Sequence, residues 1–185
     1  MMVQRAATIS QSIIVKVAHC YNISDEQRDV YESHRHHIFS VAYYMTGDER
    51  EAESILESTF IQSFAKQSKP SIAMLDEALM SELYRRLSLD PVPAVSAGGQ
   101  RLNGRNVRRT DMEEALWELP LRERLCFLMR DVEGYEPSRI AGLLATSEAD
   151  IRCTVLSARL RMRSLLAEQH STEERWTEQR FSMDA

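Results

Sequence analysis

The chain has 185 residues, 43% of them apolar, with six glycines, five prolines and a formal net charge of −5. That length holds one ordinary domain or two small ones with real cores, and plentiful Ala, Leu, Glu, Arg and Met beside few β-branched runs predict an all-α protein. No stretch approaches the ~18 apolar residues of a membrane span and no signal sequence opens the chain, so a cytoplasmic protein without membrane insertion is expected, and the acidic balance excludes a chain that coats nucleic acid along its whole length.

Four helices are predicted in the N-terminal half. Ile13, Ile14, Val17, Ala18 and Tyr21 mark an apolar face near residues 8–22. Tyr31, Ile38, Val41, Ala42 and Met45 mark a second, closed by Gly47, a natural residue to follow a helix end. Asp48 is placed to cap a third, whose face is Ala52, Ile55, Leu56, Thr59, Phe60 and Phe64. The fourth starts near Ser71 and carries Leu75, Leu79, Leu83 and Leu87 every four residues. Stripes of this kind predict a packed core. A Pro, Gly and small-residue run follows, and residues 91–110 carry four arginines and no acid. The composition predicts a flexible linker there, after a domain at 1–90.

In the C-terminal half, Asp111 is expected to cap a helix bearing Leu116 and Trp117, and Pro120 to start another over Leu121–Asp131 with Leu125, Leu128 and Met129 inward. Gly134 stops it. Pro137 opens a short helix with Ile140, Ala141, Leu143 and Leu144, and Ala145-Thr146 form a turn. Ser147 stands three residues before Asp150, a capping-box spacing with Asp in place of Glu. The last helix is predicted from Glu148 to about Leu166, with Ile151, Val155, Ala158, Met162 and Leu165 inward. The domain is therefore set at 111–167, followed by a polar tail at 168–185, in which Trp176 and Phe181 are the apolar exceptions.

Two short helices joined by a tight turn, the second long and basic, describe a helix-turn-helix. On the second, Arg152, Leu156, Arg159 and Arg163 share one stripe, Arg161 points elsewhere, and no acid occurs between Ile151 and Ala167. Arginines so placed can bind phosphates, and those near the helix N-terminus can reach base edges. Glu148, Ala149, Arg152, Cys153 and Leu156 would lie closest to the groove floor, with Arg159 and Arg163 further along. Three or four phosphate contacts imply a salt slope of about −3 to −4, so one such module binds DNA weakly without a dimer or a larger machine.

Other chemistry is poorly supported. Cys20, Cys126 and Cys153 are far apart and form no CxxC pair, which fits free thiols in a reducing compartment. His19, His34, His36 and His37 match no zinc-ligand spacing, so neither a metal nor another cofactor is expected. Gly98-Gly99 lacks the following Lys-Ser or Lys-Thr of a phosphate loop, no nucleophile–base pair is evident, and no enzyme activity is expected.

Leu119-Pro120, Arg122, Arg124, Phe127-Leu128, the run Arg130-Asp131-Val132-Glu133-Gly134-Tyr135, Arg139-Ile140-Ala141 and Leu143-Leu144 resemble region 4 of bacterial RNA polymerase sigma factors, nearest to the extracytoplasmic-function type. Asp150-Ile151-Arg152 and Ser157-Ala158-Arg159 resemble its recognition helix. The first half resembles a divergent region 2 of the same family. Phe39-Ser40-Val41-Ala42-Tyr43 and Thr46-Gly47-Asp48 match its first helix and turn, and Glu51 through Phe60 and Phe64 match the helix that grips the polymerase clamp. Leu83-Tyr84-Arg85-Arg86-Leu87 resembles the promoter-melting helix, although Ser71 to Met80 has no aromatic and no base, and Glu82 stands where a tryptophan is usual.

The resemblance implies binding to core RNA polymerase through Glu53, Ile55, Leu56, Glu57, Thr59 and Phe60. It also implies opening of the downstream promoter element by region 2, reading of the upstream element by region 4, and an anti-sigma factor as a further partner. Two alternatives stand beside it. One is a sigma-like regulator that binds polymerase or an anti-sigma partner without melting DNA. The other is a stand-alone helix-turn-helix repressor with a ligand-binding N-terminal half.

Overall fold

A computed structural model describes the backbone of residues 24–90 and 107–183 and the side chains of those residues up to Glu168. The expected helix near residues 8–22, most of the expected linker, and the side chains of Trp176 and Phe181 lie outside the described residues. The described residues are all-helical, as composition predicts. The chain divides into two compact units, Met1–Arg86 and Leu87–Ala185.

In the first unit, α1 spans Asp25–Thr46, α2 Glu49–Lys66 and α3 Ile72–Arg86. The punctuation is local chemistry. Ser24 caps α1 in a reciprocal box with Gln27. Gly47 ends it at φ 77, a left-handed conformation that a side chain would strain, while its N–H reaches the Tyr43 carbonyl. Asp48 then caps α2, its Oδ1 accepting from the Glu51 N–H at 2.8 Å. α2 packs against both α1 and α3. Ile38, Met45, Ile55, Phe60, Leu75, Leu79 and Leu83 are fully buried, and the Tyr31 and Phe60 ring centroids lie 4.8 Å apart. Each such side chain contributes about 1.5–3 kcal/mol by leaving water. Leu87, expected to continue the leucine stripe, lies beyond the end of α3 and is half-buried.

In the second unit, α4 spans Arg109–Trp117 and α5 Leu121–Phe127, running on into a π-helical turn at Leu128–Val132. α6 (Pro137–Leu143) and α7 (Glu148–Met183) follow, and α7 packs against α4, α5 and α6. Three local expectations need correction. The first helix starts at Arg109, so Asp111 sits inside its first turn. From there its carboxylate accepts the Arg108 N–H (3.1 Å) and the Arg108 side chain, which hold it below the usual carboxylate range. The last helix does not stop near Leu166. The apolar stripe ends there, but no Gly or Pro follows before Met183, and good helix formers carry the backbone on. Within the stripe, Leu166 is buried and Leu165 only half-buried.

Candidate DNA-reading helix and the clamp-like helix

The helix-turn-helix is assembled from α6, a tight turn and α7. Pro137 occupies the first turn of α6, where its missing N–H costs nothing. Ile140 and Ala141 are buried against the unit. The turn closes with the Thr146 N–H on the Ala141 carbonyl at 3.0 Å and with Ala145 at φ 48, a left-handed alanine that sequence patterning does not reveal. Ser147 then caps α7. Its Oγ accepts the Asp150 N–H (3.1 Å) and donates to Asp150 Oδ2 (2.6 Å), the expected box with Asp standing in for Glu. The Ser147 and Thr146 hydroxyls hold the Asp150 carboxyl below the usual carboxylate range.

The face that α7 turns outward is the expected stripe. Ala149, Arg152, Cys153, Leu156, Arg159 and Arg163 are exposed, and Glu148 is half-buried. Leu156 stands out as a large apolar side chain 56% exposed. Two of the arginines are engaged within the protein. Arg152 pairs with Glu148 one turn back, and Arg159 makes a two-point pair with Asp131 from the π turn. Among the described residues Arg163 has no acidic partner.

The inward face holds a polar network that residue patterning alone does not expose. Glu123 on α5 is 2% exposed. It accepts from Ser157 Oγ (2.9 Å) and from Arg161 Nε (2.9 Å) and Nη2 (3.3 Å), tying α5 to α7. Arg161 is thus the off-stripe arginine with a structural task. Arg124, also buried, donates to the carbonyls of Trp117 and Leu119 and lies 5.7 Å from the Trp117 ring centroid, which secures the turn between α4 and α5. Cys126 is buried, and that burial pushes its thiol up to about 11; Cys153 is the exposed thiol of this unit. The described residues hold no cluster suited to a metal ion.

The six residues expected to meet polymerase separate sharply in the first unit. Ile55, Leu56, Thr59 and Phe60 are at most 4% exposed and belong to the core between α2 and its neighbours, so they have no surface to offer. The stripe is the packing stripe that its helical spacing predicts, and the polymerase role that the resemblance implies for these four residues falls on buried side chains. Glu53 and Glu57 remain half-exposed on α2. Of the neighbouring positions, Ser54 accepts from Arg86 at 3.0 Å and Gln62 donates to Glu82. Glu82 is itself nearly buried and also holds Arg85 and Arg86. Burial alone would push the Glu82 carboxyl up, but these two arginines and Gln62 outweigh it and hold it low. From Ser71 to Glu82 the exposed positions are Ser71, Ala73, Glu77 and Ser81, with no aromatic or basic side chain among them. Tyr84 and Arg85 are the exposed residues at the end of α3 that could meet a base.

Residues 109–162, which begin with α4 and run well into α7, match the family model for sigma-70 region 4. The match covers the helix-turn-helix of the C-terminal unit. Over 162 residues the chain is 23% identical to the ECF RNA polymerase sigma factor SigE of Mycolicibacterium smegmatis; the alignment covers 78% of this chain and 63% of that protein. The chain thus spans less than two thirds of its relative's length. The fold is similar to that of the sigma factor RpoE in its co-crystal structure with the anti-sigma factor NepR from Bartonella quintana, with a TM-score of 0.59 and 19% identity over 75% of this chain and 95% of that one. The family match in the C-terminal unit and the sequence relative both point toward sigma factors, and the structural neighbour shares the fold. No helix among the described residues is long and apolar enough to cross a membrane.

Proposed function

We propose that this protein is a cytoplasmic sigma factor that binds core RNA polymerase and directs promoter-specific initiation, without catalytic groups of its own. The observation that carries the reading is the outward stripe of Arg152, Leu156, Arg159 and Arg163 on the second helix of the helix-turn-helix, the first three inside the stretch that matches region 4 and Arg163 just past its end. Set in the major groove of an upstream promoter element, α7 would bring Glu148, Ala149, Arg152, Cys153 and Leu156 nearest the bases, and Arg163 to a phosphate. So few charge contacts are weak alone, and polymerase supplies the rest of the grip. The polymerase contact in the first unit runs along the half-exposed edge of α2 that carries Glu53 and Glu57. An anti-sigma factor is a further proposed partner, the kind of protein that RpoE of Bartonella quintana is bound to in its structure. Gel filtration of the full chain mixed with core polymerase at micromolar concentration tests the reading. Co-elution is expected, and separate elution would rule it out.

A second reading, a sigma-like regulator that holds polymerase without melting DNA, is favoured by one feature. The exposed positions from Ser71 to Glu82 offer nothing to stack on or pair with an unstacked base, and Arg85 and Arg86 are drawn to Glu82.

A further inference from the structure

The outward arginines of α7 are not equivalent. Arg152 pairs with Glu148, an i,i+4 contact on one helix between side chains 69% and 43% exposed. Such exposed pairs are weak and give way easily to a phosphate. Arg159 is held differently. Asp131 comes from another element, has a side chain only 22% exposed on an otherwise exposed residue, and takes Arg159 Nε (2.9 Å) and Nη2 (2.5 Å) in a two-point clasp that pushes the guanidinium further toward its charged form. The acid is anchored by its setting. It lies in the π turn, which closes with the Glu133 N–H on the Leu128 carbonyl at 2.9 Å and is followed by Gly134 at φ 75. A two-point clasp neutralises the charge and occupies one edge of the planar fork, leaving Nη1 free to donate in a fixed direction.

We propose that Asp131 is a specificity-determining positioning residue for DNA. It withholds Arg159 from indiscriminate phosphate binding and presents the remaining edge to one place in the groove. Non-specific affinity follows the number of phosphates a protein neutralises. By this account Arg159 adds little to it while Arg163 adds a full contact, and the wild-type salt slope is shallower than a count of arginines suggests. The inference rests on the DNA-reading role proposed above.

The test uses the full chain, a short labelled duplex of random sequence and a potassium chloride series, with binding read by fluorescence anisotropy. Asp131→Asn is expected to tighten random-duplex binding several-fold and to steepen the salt slope by about 0.9, one added phosphate contact. Adding Arg159→Ala to that variant should abolish the gain, which mere loosening of the fold would not do. Unchanged or weaker binding by a folded Asp131→Asn variant overturns the proposal while leaving DNA binding itself intact. Absence of binding by every variant and by the wild type at the lowest salt overturns the DNA-reading role and this proposal with it.

Discussion

Glu123→Ala is expected to destabilise the C-terminal unit by about 3 kcal/mol, the low end for removing one partner of a buried pair. The low end applies because Arg161 keeps a 27% exposed side chain and can recover some water. The loss has two parts. The Arg161 guanidinium would lose both of its carboxylate contacts, and the Ser157 hydroxyl, on a residue 4% exposed, would lose its acceptor. Urea unfolding followed by circular dichroism checks the prediction. A double change, Glu123→Leu with Arg161→Met, should recover most of the stability, since well-packed apolar groups often replace such pairs without loss. Equal stability of Glu123→Ala and the wild type would mean that α5 and α7 are held by their apolar contacts alone.

Phe60→Ala is expected to cost the first unit about 3–5 kcal/mol, the range for truncating a fully buried aromatic side chain. Phe60 is 0% exposed and packs its ring against Tyr31 and, at 5.6 Å between centroids, against Phe64. Thermal melting of the full chain should show the transition of this unit shifted strongly downward, and any polymerase binding lost with it would follow from unfolding. Glu57→Ala, on the half-exposed edge of α2, should stay within about 0.5 kcal/mol of the wild type, so that a change in polymerase binding by this variant reports contact directly. A Phe60→Ala protein as stable as the wild type would return Phe60 to the surface and reverse the assignment.

The helix boundaries most legible in the sequence are those set by one or two residues. Gly47, Asp48, Gly134, Pro137 and Ser147 each end or start a helix because of their own backbone or side-chain chemistry, and each does so where it stands in the chain. The outward stripe of α7 was legible for a similar reason, since a helical period fixes which residues share a face. Less legible was anything decided between elements. Glu82 and Glu123 are acids that no apolar stripe includes, yet each is buried because arginine and a hydroxyl or amide meet it there. The clasp of Arg159 by Asp131 joins residues 28 apart and has no local signature. On α2 the family resemblance pointed away from the packing, since it implied a polymerase contact for residues of the packed stripe. Apolar residues at helical spacing mark a surface that must be covered, and in this chain α1 and α3 cover it. The far end of α7 was missed because apolar periodicity reports packing, and a helix can outrun its packed part.

Run-off transcription with purified core polymerase and a library of promoter-bearing templates tests the central claim most directly. The account predicts transcripts from a defined subset of templates that appear only when this protein is added and weaken with Arg152→Ala. A stable complex with polymerase that yields no protein-dependent transcript from any template would contradict it, and would leave the protein as a polymerase-binding regulator that does not open DNA.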